Sequence, residues 1–139
     1  PIDIGAVTST EALLEMQKAC RKVYVDPSLV TYAVKLVAAT RDPRKAGLHN
    51  HGHLILYGAS PRATIGLIEA GRALAFLRGR DYVLPADVTD IATDVLRHRV
   101  VPSYEALAEG ITADKLVADI MRGVPAPEKV LESRVAANA

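Results

Sequence analysis

Ser60-Pro61-Arg62-Ala63-Thr64-Ile65-Gly66-Leu67-Ile68-Glu69-Ala70-Gly71-Arg72-Ala73-Leu74-Ala75-Phe76-Leu77-Arg78-Gly79 reads as one long helix with its own start and stop signals. Ser60 stands where an N-cap is wanted, and Pro61 falls in the first turn, where a missing N–H removes no helical bond. Gly79 is placed as the C-terminal cap. Two apolar stripes run along the segment, Ile65, Ile68 and Ala75 on one side and Leu67, Ala70, Leu74 and Leu77 on another. A helix apolar around so much of its circumference is predicted to be central in the fold. Gly66 and Gly71 each cost roughly 1 kcal/mol relative to Ala inside a helix, which predicts that neighbouring helices approach closely there.

Shorter helices are predicted on both sides. Upstream, Thr8 with Glu11 matches a capping box, and Leu13, Met16 and Cys20 follow at helical spacing as an apolar stripe. Asp26-Pro27 repeats the cap-plus-proline signal and opens a helix to about Thr40 or Arg41, with Val30, Ala33, Val34 and Val37 expected inward. Downstream, Pro85 to about His98 carries Val88, Ile91, Ala92 and Val95 as its inward set, with Asp87 favourably near the positive helix end. After Pro102 a linker leads to a last helix capped by Thr112, with Leu116, Val117, Ile120 and Met121 as its apolar face, ended by Gly123 and Val-Pro-Ala-Pro. Val23-Tyr24-Val25 and Tyr82-Val83-Leu84 echo each other just before prolines, which predicts that they pair. Between Arg41 and Ser60 lies an irregular stretch of the length that is often functional, with Leu54-Ile55-Leu56-Tyr57 expected as a short extended piece.

The expected architecture is mainly α, a bundle of about five helices with one small two-stranded β pair. One domain is expected over residues 1–127, with a weakly ordered tail over 128–139. The composition agrees: of 139 residues 50% are hydrophobic but only 4% aromatic, so the core must be aliphatic. Lys and Arg number 17 against 16 Asp and Glu, which speaks against a nucleic-acid partner at the level of the whole chain. Cys20 is the single cysteine, as expected in a reducing, cytoplasmic setting. No apolar run approaches the roughly 18 residues that a membrane span needs. The first residue is Pro1 rather than Met, so the chain is expected to derive from a longer one.

Self-sufficient enzyme chemistry has no motif to stand on. There is no G-x-x-x-x-G-K-[ST] phosphate loop, no G-x-G-x-x-G, no H-E-x-x-H and no G-x-S-x-G. His49, His51 and His53 alternate as H-x-H-x-H, a spacing that on a strand would set three imidazoles on one face for a divalent metal. The glycines around them favour a solvated loop instead. Arg41, Arg44 and Lys45 form one basic cluster and Arg97, His98 and Arg99 a second, the latter at a helix C-terminus where cations are favoured structurally. Arg62 stands apart. It is a cation in the first turn of the central helix, electrostatically misplaced unless an anion binds at the same helix end. An exposed arginine with no ligand is the alternative.

Ala39-Thr40-Arg41, Tyr57-Gly58-Ala59-Ser60-Pro61-Arg62-Ala63, Gly79-Arg80-Asp81-Tyr82-Val83 and Val95-Leu96-Arg97-His98-Arg99 occur in that order. Together they resemble the C-terminal helical lid of the MoxR family of AAA+ ATPases, from about Val23 to Pro127. The resemblance implies that Arg62 corresponds to the sensor 2 arginine, reaching ATP bound with Mg on an N-terminal AAA+ core. Ser60 and Pro61 would fix the helix start that aims it, and Arg41 would line the same nucleotide-facing edge. The Walker segments, sensor 1 and the arginine finger are missing here, so ATP hydrolysis is not expected of this chain by itself. The family further implies chaperone-like maturation of protein complexes, hexameric rings in which the lid touches neighbouring subunits, and von Willebrand factor A-domain partners. The rival readings are a small helical nucleic-acid-binding module and a protein-interaction scaffold in which Arg62 is incidental.

Overall fold

A computed structural model describes residues 5–128. Six α-helices stand among them: α1 (Thr10–Arg21), α2 (Pro27–Arg41), α3 (Arg62–Leu77), α4 (Pro85–Leu96), α5 (Tyr104–Ala108) and α6 (Ala113–Gly123). Two short strands, β1 (Ile55–Tyr57) and β2 (Val101–Pro102), pair antiparallel, and a 3-10 turn spans Pro43–Ala46. The fold is therefore mainly α with one small two-stranded sheet, as expected, but the sheet joins Ile55–Tyr57, within the piece expected to be extended, to Val101–Pro102, and not the two segments expected to pair. Tyr24 and Tyr82 do meet, as a single parallel bridge: Tyr24 N–H donates to the Asp81 carbonyl (2.8 Å) and Val83 N–H to the Tyr24 carbonyl (2.9 Å). Helix α5 occupies what reads in the sequence as a linker; Ser103 caps it by accepting from Ala106 N–H. The expected tail lies outside the described residues from position 129 onward.

Helices α2, α3, α4 and α6 enclose the core. Leu29, Leu36 and Val37 come from α2, Leu67 from α3, Val88 and Leu96 from α4, and Leu116, Val117 and Ile120 from α6, all fully buried. Helix α3 packs most extensively against α4. Its buried residues are Ala63, Leu67, Gly71 and Ala75, one strip at a spacing of four. Small residues on three of those four positions let α4 come close. A Cβ at Gly71 would stand 3.5 Å from Val88, and one at Gly66 would stand 3.4 Å from Val95. The glycines do lie at the helix–helix interface, although a methyl group would still fit there.

Several inward assignments are corrected. Ser9, not Thr8, caps α1 by accepting from Ala12 N–H (3.1 Å), and α1 buries no residue: Leu13 and Met16 are nearly half exposed. On α2 the buried face is Leu29, Tyr32, Ala33, Leu36, Val37, Ala39 and Thr40, whereas Val30 and Val34 face outward. Ile65 and Leu77 of α3 are exposed. On α4 the fully buried residues include Leu96 and the carboxylate Asp87, while Ile91 and Val95 are only half-buried. Periodicity reports which face is apolar. It does not report which apolar face has a neighbour.

Candidate functional site

The edge that carries Arg41 and Arg62 is built by one long-range clamp. Thr40, fully buried near the end of α2, donates its hydroxyl proton to the Val37 carbonyl (2.7 Å) and accepts from the buried Ala59 N–H (2.8 Å). Next to it, Gly58 lies so close to the end of α2 that a Cβ would stand 2.4 Å from the Thr40 carbonyl oxygen and 2.7 Å from Arg41 Cγ. The turn Gly58-Ala59-Ser60-Pro61 is thereby pinned to α2, and α3 begins directly after it with Arg62. Ala39-Thr40-Arg41 and Tyr57 to Ala63, distant in sequence, thus form one structural unit.

Gly58→Ala is expected to destabilise by about 1–3 kcal/mol, because the clash is with main chain that cannot rotate away. Gly71→Ala, where the added methyl has room, is expected to be neutral or to gain up to about 1 kcal/mol in helix propensity. Urea unfolding of the two variants checks the contrast, and equal midpoints would contradict it.

Ser60 does not cap α3 through its side chain. The cap position belongs to Pro61, with no side-chain cap bond, and Ser60 instead offers its carbonyl to Ala63 N–H (2.9 Å). The reason is that Pro61 already has helical φ and ψ (−55°, −24°), which carries the chain into the helix through a turn. Arg62 is exposed, and its guanidinium has no hydrogen-bond or ion-pair partner among the described residues. Its N–H, leading the helix, has no acceptor among them. Arg41 is likewise exposed and without such a partner among the described residues. The unneutralised guanidinium of Arg62 beside its own unbonded N–H is an arrangement that can take an anion with several oxygens, and Arg41 adds a second unpaired cation at the neighbouring end of α2. No three His, Cys, Asp or Glu side chains gather to hold a metal ion among the described residues.

The other basic cluster is structural. Arg97 pairs with Asp94 (2.7 Å) and Asp114 (3.2 Å), and Arg99 donates to the Val95 carbonyl and contacts His98. The three alternating histidines separate: His49 and His53 are exposed, while His51 Nε2 lies 3.0 Å from Asp119 Oδ2. Asp119 also takes Lys115 (2.9 Å) and Arg122.

Sequence reasoning missed two buried acidic centres, Asp119 and Asp87. Burial pushes both carboxyl groups up, but their donors outweigh it and hold them below the usual carboxylate range. Those donors are Lys115, His51 and Arg122 at Asp119, and Arg80, the Leu84 N–H and Arg78 at Asp87. A carboxylate held below its unfolded value contributes stability that is fully present above about pH 5 and is lost as pH falls through the lowered value. The melting temperature is therefore expected to fall between about pH 5 and pH 3, and Asp119→Asn to flatten part of that fall. A variant whose pH profile parallels the parent's would contradict the assignment.

Residues 49–120, more than half of the chain, match the AAA lid domain family. Chaperone MoxR1 of Mycobacterium tuberculosis is 42% identical over 128 residues, 92% of this chain and 34% of that protein. Protein MoxR of Paracoccus denitrificans is 36% identical over 110 residues, 75% of this chain and 32% of that protein. The chain thus spans about a third of the length of these curated relatives. A crystal structure of a protein assigned as an ATPase, from Cytophaga hutchinsonii, superposes with a TM-score of 0.82 at 42% identity, covering 85% of this chain and 36% of that one. No helix among the described residues is long and apolar enough to cross a membrane. The chain belongs to the AAA lid domain family and is the helical lid of a MoxR-type AAA+ protein.

Proposed function

We propose that this lid presents Arg62 as the sensor 2 arginine to ATP held by the remaining two thirds of a longer polypeptide. The observation that carries the reading is the exposed guanidinium of Arg62 at an uncapped helix start, with no counter-charge among the described residues. Its role is electrostatic, offsetting charge that builds on the transferring phosphoryl group. Arg41 lines the same edge as a second cation toward the phosphates. The Ser60-Pro61 turn sets where the helix begins. Mg would be held by the AAA+ core, since the described residues of this chain bring no carboxylate cluster to it.

Under this reading the lid moves with the nucleotide state and couples hydrolysis to chaperone-like maturation of protein complexes. The assembly would be a cytoplasmic hexameric ring in which the lid also touches neighbouring subunits, and von Willebrand factor A-domain proteins are the candidate partners. The deciding experiment is ATP turnover by the full-length polypeptide with Arg62 replaced.

A further inference from the structure

We infer that Thr40 is a positioning residue for Arg62, acting through the turn that precedes α3; the inference rests on the role proposed for Arg62. Helix α3 has no side-chain cap, and Arg62 has no partner among the described residues to hold it. Its place is therefore set by the main chain that delivers it. That main chain is fixed at two adjacent residues, by the Thr40 hydroxyl at Ala59 and by direct backbone contact of Gly58 with Thr40.

The hydroxyl is the element that a substitution can remove without changing shape. It is fully buried, and both of its capacities are used, one toward Val37 within α2 and one toward Ala59, 19 residues away. Valine keeps the volume but offers the buried Ala59 N–H a methyl group, and a buried donor left without an acceptor moves or opens toward water. The turn then loses its register on α2, and Arg62, three residues on, shifts with it. Displacements near 1 Å in positioning elements are enough to cost rate by one to two orders of magnitude.

The test is a double-mutant cycle in the full-length polypeptide, with kcat and KM for ATP and a thermal melt for each variant. Thr40→Val is expected to lower kcat about tenfold with a smaller change in KM, and Thr40→Ser, which keeps the hydroxyl, to stay within about twofold of the parent. In an Arg62→Ala background Thr40→Val is expected to add almost nothing, because the group it positions is gone. Where Thr40→Val fails to fold, Thr40→Ala, which sets no methyl against the Ala59 N–H, carries the same comparison. A folded Thr40→Val or Thr40→Ala protein with unchanged kcat, or one whose loss adds fully to that of Arg62→Ala, overturns the positioning role while leaving Arg62 in place. An Arg62→Ala protein with normal turnover overturns the sensor 2 reading itself.

Discussion

Arg62→Ala in the full-length polypeptide is expected to lower kcat for ATP hydrolysis by about 10²–10³-fold, with the lid still folded. The magnitude follows from what one preorganised charged donor is worth where transition-state charge develops in a site shielded from water. Arginine fingers in phosphoryl transfer reach higher still. Folding should be spared because Arg62 is exposed and contributes no hydrogen bond or ion pair among the described residues. Its removal also takes a cation from a helix start, where cations are slightly unfavourable. Arg62→Lys keeps the charge but not the planar two-pronged donor, and is expected to recover only part of the rate. The loss should fall mainly on kcat, since charge that grows in the transition state is bound weakly in the ground state. Steady-state turnover alongside a melting curve decides it: a variant that melts like the parent and turns over normally would make Arg62 incidental and favour the interaction-scaffold reading.

The parts of the fold that the sequence made readable are those governed by neighbours along the chain. Asp26-Pro27 opens α2 with Asp26 accepting from Ser28 N–H (2.8 Å), Thr112 caps α6, and Gly79 takes the left-handed conformation (φ +73°) after α3. What stayed hidden depends on partners outside the helix concerned. Thr40 looks like an indifferent helix residue until Ala59 is folded against it. Asp87 resembles an ordinary first-turn acid, because its arginine donors, Arg78 and Arg80, lie at and just past the C-cap of α3.

The apolar faces of Leu13, Met16, Val30 and Val34 were misplaced for a different reason. Their periodicity is genuine, but no described element of this chain buries them. At the candidate site, Arg62 was legible because a cation at a helix start conflicts with the local field. Its closest structural support was not legible, because a hydroxyl and a glycine carry no comparable conflict.

Asp87→Ala is expected to destabilise the lid by about 3 kcal/mol, since it removes a helix cap and several charged hydrogen bonds at once. In a domain of this size that is a melting temperature lower by roughly 10 °C. Asp87 has no exposed surface, and its two oxygens accept four hydrogen bonds: Arg80 Nη1 (2.7 Å) and Nη2 (2.6 Å), Arg78 Nη1 (2.8 Å) and the Leu84 N–H (2.8 Å). The carboxylate therefore ties the C-cap of α3 and the connection after it to the first turn of α4, beside the most extensive helix pair in the fold. Part of the loss is returned, because the alanine variant no longer holds a carboxylate away from water. The two arginines, both partly exposed, can also turn outward. Arg80→Ala offers no such relief: it leaves the carboxylate buried with its two-pronged donor gone, and should cost a comparable amount. The outer pair of Arg78 with Asp90 is solvent-exposed on both sides and contributes little. Asp90→Ala is the matching control. Thermal melts of the three variants at pH 7 test the arrangement. If Asp87→Ala melts within about 2 °C of the parent, the buried carboxylate is not what holds the two central helices in register.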